Sequence, residues 1–94
     1  MWILRRVVGE SMLPTLKQGD VVIGQRGKTP QIGDIVIAWV NGKEVIKRII
    51  SVTDGGYDLR GDNAESSTDS RSYGIVAKQH IKGVVIKVIK SRAK

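Results

Sequence analysis

The chain has 94 residues, 40% of them hydrophobic, with 16 Lys and Arg against 9 Asp and Glu and a formal net charge of +7. This length makes one domain with a modest core, burying about 60–65% of the surface its unfolded chain exposes. Without cysteine it has no disulfide, no thiolate zinc site and no thiol catalysis, and its longest apolar run, Ile35–Val40, is far short of the about 20 residues of a spanning helix.

The apolar residues are mostly Val, Ile and Leu, with no Phe, a mix that favours strands. Trp2–Val8 reads as a short apolar-basic strand, and its apolar patch is too short for a signal peptide. After the turn Lys17-Gln18-Gly19, a second strand runs over Asp20–Gln25. After Pro30-Gln31-Ile32-Gly33, a third runs over Asp34–Val40. "QGDVVIG" and "IGDIVIA" echo each other, as turn-then-strand grammar repeats rather than as a repeat architecture. Asn41-Gly42 predicts a tight hairpin into "KEVIKRIISV", because both central positions of a type I′ turn need positive φ. Asp54-Gly55-Gly56 predicts another hairpin, into "YDLRG". Residues 61–72 form a polar loop, and a loop of that length in a compact domain is usually functional or disordered. A last strand covers Gly83–Ile89, and residues 90–94 are expected to be a flexible tail. Together these elements predict an all-β fold, a single compact domain spanning 1–94 with short antiparallel strands.

Two positions carry candidate chemistry. In "GESMLPTLKQGDVVI", Ser11 can cap one helical turn, with Pro14 tolerated in that turn, or act as a nucleophile beside the amides of the turn. In "EVIKRIIS", strand alternation puts Lys47 with Val45 and Ile49 on one face and Arg48 with Ile46 and Ile50 on the other. Whichever face packs inward takes a cation with it. Either long stem can snorkel, with its charge reaching water. Arginine keeps its proton and can only pair with an acid. Lysine can lose its proton when burial disfavours the charge, at a cost of about 4 kcal/mol for a drop from about 10.4 to about 7–8. A neutral amine beside a hydroxyl is the Ser–Lys form of nucleophilic catalysis. The only histidine, His80, reads as a surface or strand-edge residue, because "GESML" lacks the second glycine of a G-x-S-x-G elbow.

Three segments in order, "GESMLPTL", "VIKRI" and "GDNAESSTDSRSYGIV", resemble the nucleophile, lysine and Gly-Asp-Asn…Ser-x-Asp-Ser-Arg boxes of type I signal peptidases. The resemblance implies a signal peptidase/LexA-like barrel of coiled antiparallel sheets, needing no metal and no cofactor. It implies Ser11 as nucleophile, Lys47 as general base and Ser67 as the hydroxyl that orients the amine. Arg48 with Asp62, and Asp69 with Arg71, would be structural ion pairs near the site. An extended precursor or leader peptide would lie between Arg5–Val8 and Glu44–Ile46 by β-augmentation. Val7, Met12, Leu16 and Ile46 would shape shallow pockets for small residues before the cut. Gly9 stands where many bacterial members carry an oxyanion-donating serine, which leaves the Ser11 amide as the main donor.

No membrane anchor of the kind the longer enzymes have is expected in this chain. It is therefore expected in the cytoplasm, like the small maturation proteases of the family, or peripherally at a membrane surface or on a membrane-protein partner. Its cations cluster near the ends, in Arg5, Arg6, Lys82, Lys87, Lys90, Arg92 and Lys94, and suit an anionic surface. Two other readings are a LexA-type self-cleaving or regulatory domain, and a non-catalytic basic β-domain binding nucleic acid or lipid. The last explains the charge but none of the three boxes, so nucleic acid is not expected as a partner.

Overall fold

A computed structural model of the chain describes residues 1–66 and 73–92. Among these residues, six strands form one antiparallel sheet: β1 (Trp2–Arg6), β2 (Val21–Gln25), β3 (Ile35–Val40), β4 (Lys43–Thr53), β5 (Gly56–Arg60) and β6 (Ile81–Ile89). Their order across the sheet is β1-β2-β6-β3-β4-β5. The fold is all-β, with short 3-10 turns at Ala64–Ser66 and Lys78–His80 among the described residues. None of the helical pieces among the described residues is long and apolar enough to cross a membrane.

Local chemistry accounts for the turns. Asn41 and Gly42 both have positive φ, 50° and 80°, as the tight β3–β4 hairpin demands. Gly56 opens β5 where a Cβ would sit 2.1 Å from the Val76 carbonyl oxygen. Only glycine allows that approach, and it lets Tyr57 bridge Val76 by paired backbone bonds of 2.8 and 2.9 Å.

The sheet is covered on different faces at its two ends, so β3 is buried on both sides. Val36, Ala38 and Val40 pack with Ile49, Tyr57, Leu59, Val76 and Val84 in one core. Ile37 points the other way, into a second core with Val7, Met12, Leu16 and Val22. The segment after Tyr73 helps close the first core, and the connection from Val7 to Asp20 closes the second.

Three sequence expectations change. The first strand ends at Arg6, although Val7 still pairs, receiving a bond from Gly19 and donating one to Asp20. The single turn expected after Ser11 is irregular: the Leu16 amide donates to the Met12 carbonyl at the four-residue spacing of a helical turn, but the Leu13–Pro14 peptide bond within it is cis. The start of the expected tail is anchored: Lys90 Nζ and the Ser91 amide both donate to Asp20, at 3.0 and 2.7 Å.

Candidate active site

The site begins with the way the Val7–Asp20 connection is pinned. Met12 and Leu16 lie one turn apart, each only 1% exposed, and the Leu16 amide donates to the Met12 carbonyl at 2.9 Å. These two apolar plugs hold the connection against the second core and leave Ser11, partly exposed, at its rim.

Polar staples fix the rest. Asn63 grips the carbonyls on either side of Ser11. Its amide donates to the Ser11 carbonyl at 2.8 Å and its side-chain Nδ2 to the Glu10 carbonyl at 3.0 Å. Asp62 accepts two bonds from Arg48, at 2.9 and 2.8 Å, and a third from the Thr15 hydroxyl. One carboxylate thereby ties β4 to the serine-bearing connection. Hydrogen bonding to Arg48 outweighs burial and, with Thr15, holds the Asp62 carboxyl below the usual range; the same pair raises Arg48.

At the far end of the connection, Asp20 is fully buried. The amides of Ser91 and Lys17 and the Lys90 ammonium lower its carboxyl to about 2, against the opposing effect of burial. Lys90 also donates to the Thr15 carbonyl at 2.7 Å.

Lys47 comes to the same place from β4. It pairs with Val36 of β3 and shares its face with Val45 and Ile49, and only 5% of it is exposed. Arg48 is on the opposite face, paired with Ile35. The choice posed by strand alternation is resolved by the two cores: both faces of β4 pack, so both cations enter the structure. Lys47 is buried between Val45 and Ile49 on its strand face, and the Arg48 guanidinium meets the Asp62 carboxylate.

Ser11 and Lys47 border one cleft of about 790 Å³. Arg5–Val8 form one wall and Lys43–Lys47 the other, with Tyr73 and Val40 at the side of β4. Among the described residues, β1 pairs only with β2, and β5 joins β4 only from Arg48 onward, so neither Arg5–Arg6 nor Lys43–Ile46 has a further strand beside it on the cleft side. Across the cleft, Glu44 receives hydrogen bonds from Arg5 and Lys82, the latter at 2.7 Å. Burial pushes the Glu44 carboxyl up, but these two bonds prevail and hold it below the usual range.

Of the expected pocket residues, Val7, Met12 and Ile46 border the cleft. Leu16 does not: its side chain is spent on the second core, so it supports the site from behind. Ser67, Asp69 and Arg71 lie outside the described residues. His80 is exposed in its 3-10 turn, away from the cleft. Among the described residues no group of three His, Asp or Glu side chains could hold a metal ion.

Sequence reading missed Asn63, Thr15 and Asp20 as parts of this site. The first adjoins Asp62 in "GDN" and the last ends "KQGD", but only the fold brings either to the serine-bearing connection.

Residues 2–86 match the family model described as Peptidase S24-like. The chain belongs to the Peptidase S24-like family. That membership makes it a serine peptidase of the LexA/signal-peptidase type, a wider group than the type I signal peptidases its three boxes resemble. No curated protein matches the chain.

Proposed function

We propose that this S24-like chain is an endopeptidase with a Ser11–Lys47 dyad, cutting an extended precursor or leader peptide after small residues. The observation that carries this reading is that Ser11, the buried Lys47 and two strands with no further strand beside them among the described residues border one cleft. An extended peptide can add its backbone to such strands and run past the serine.

The chemistry follows from the side chains. The neutral Lys47 amine takes the Ser11 proton as Oγ attacks the scissile carbonyl. The Ser11 amide receives the developing oxyanion. Collapse breaks the C–N bond, and the protonated amine gives its proton to the departing amino group. The amine then deprotonates a water that hydrolyses the acyl-enzyme, restoring the serine. Ser67 orients the amine in this scheme. Val7, Met12 and Ile46 leave little room beside the peptide, which suits alanine-sized residues before the cut.

Incubation with candidate precursors, with new N-termini read by mass spectrometry, tests the proposal. Ser11→Ala and Lys47→Met should each lower cleavage by about 10³-fold or more while the circular dichroism spectrum is retained. Cleavage that survives either change in a folded protein refutes the dyad. Cutting of this chain itself at a rate independent of its concentration would instead identify the self-cleaving mode.

A further inference from the structure

Strand alternation puts Arg5 on the face of β1 that Ile3 and Val7 share, and Glu44 on the face of β4 with Ile46 and Arg48. Ile3, Val7 and Ile46 all pack in the second core, so the two charged side chains turn inward and meet across the cleft that both border. Arg5 Nε donates to one Glu44 carboxylate oxygen and Lys82 Nζ to the other, the latter at 2.7 Å. A further contact holds each cation in place. Arg5 Nη1 donates to the Leu4 carbonyl at 2.8 Å, and Lys82 Nζ lies 5.6 Å from the centre of the Trp39 ring.

The charges in this cluster do not balance. Two cations meet one carboxylate, and Arg6 and Lys43 add two more on the cleft walls. Among the described residues, the other carboxylate bordering the cleft is Glu10, next to Ser11. The cluster is also partly withdrawn from water, with side-chain exposures of 38% for Arg5, 29% for Lys82 and 22% for Glu44, so its surplus charge is less screened than that of a free surface cation.

Position along the cleft decides which part of a peptide meets this charge. Glu44 precedes Lys47 by three residues, about 10 Å at the rise of a strand. A peptide lying along β4 with its scissile carbonyl at Ser11 brings the fourth or fifth residue before the cut to the cluster, beyond the small-residue pockets. An acidic side chain there finds two donors already in position and an uncompensated positive charge. A basic side chain finds both Glu44 oxygens taken, and must displace Arg5 or Lys82 to reach them.

We propose that Arg5, Glu44 and Lys82 form a charge-selective subsite, favouring precursor peptides with Asp or Glu at the fourth or fifth position before the cut and disfavouring Lys or Arg there. The subsite rests on the proteolytic reading for the course of the peptide, and adds selection by charge to selection by size.

The test measures binding and cleavage separately. Fluorescence anisotropy with the Ser11→Ala protein follows labelled peptides that carry alanine at the first and third positions before the cut and glutamate, glutamine or lysine at both the fourth and fifth. At low salt the glutamate peptide should bind about 10-fold tighter than the lysine peptide, with glutamine between them. The difference should shrink as salt is raised, a readout that needs no further variant. Arg5→Gln with Lys82→Gln should cut the preference to about 2-fold or less, whereas Arg5→Lys should keep most of it. Glu44→Gln should weaken the lysine peptide further without weakening the glutamate peptide. Circular dichroism checks that each variant folds.

Equal affinity for the three peptides overturns the proposal, as does a preference that survives Arg5→Gln with Lys82→Gln, or no binding at all. Glu44→Gln weakening every peptide alike would make the cluster a strut between the walls and overturn the subsite. With Ser11 intact, cleavage that ignores charge would remove the subsite and spare the dyad. Selective binding by the Ser11→Ala protein, with no cleavage when Ser11 is present, would spare the subsite and remove the dyad.

Discussion

The two cores of this sheet are closed by different means. The core around Ile49, Tyr57 and Leu59 is sealed by aliphatic packing and by a backbone bridge, Tyr57 to Val76, that the missing side chain of Gly56 permits. The core around Met12, Leu16 and Val22 is closed by the connection that carries Ser11, and that connection is held by polar staples at Asp62, Asn63 and Asp20. Packing supplies stability wherever apolar area is buried, but it is non-directional. Charge-assisted hydrogen bonds have direction, so they can hold one peptide unit in place at the rim of a cleft. The first core makes the molecule stable, and the staples of the second make it geometrically defined.

Substitutions can break that contrast or sharpen it. The largest loss of stability is expected in the first core: Leu59→Ala should cost about 2–5 kcal/mol in urea denaturation, because the fully buried site leaves a cavity. Cleavage per folded molecule should be nearly unchanged. Asp62→Ala should act the other way. Its pairs are partly solvated, so the stability cost is about 1–3 kcal/mol. The rate should fall about 10²-fold as the Ser11 connection loosens from β4. An unchanged rate for folded Asp62→Ala would show that the staples do not position the serine.

Acid should reveal the staples next. The Asp20 carboxyl titrates at about 2 in the folded chain against an ordinary 3.8, so the folded state binds its proton less readily than the unfolded one. Its contribution is complete above the ordinary value and is lost as pH falls through about 2. Glu44 and Asp62, also lowered, add to the same limb. Thermal melts between those pH values should show a falling midpoint, with a shallower fall in Asp20→Asn. The smallest effect is expected from Lys90→Ala. Its side chain is 58% exposed in its pair with Asp20, and the change should cost less than about 1 kcal/mol.

Strand positions, both hairpins and the all-β class could be read from residue types alone, because alternation and turn chemistry act over a few neighbours. Asn41-Gly42 needs no tertiary contact to demand positive φ, and "EVIKRIIS" shows that whichever face packs inward takes a long cationic side chain with it. The boxes around Ser11 and Lys47 named the two groups but not their surroundings. Only the tertiary structure decided that both faces of β4 are covered, that Leu16 supports the cleft from behind, and that Asn63 and Asp20 hold a connection more than forty residues or a full turn away. It also decided that, among the described residues, β5 begins its pairing with β4 only at Arg48. The division has a physical cause. Local sequence sets dihedral preferences and which residues share a face, whereas which face is covered, and by what, depends on where a curled sheet brings distant segments together.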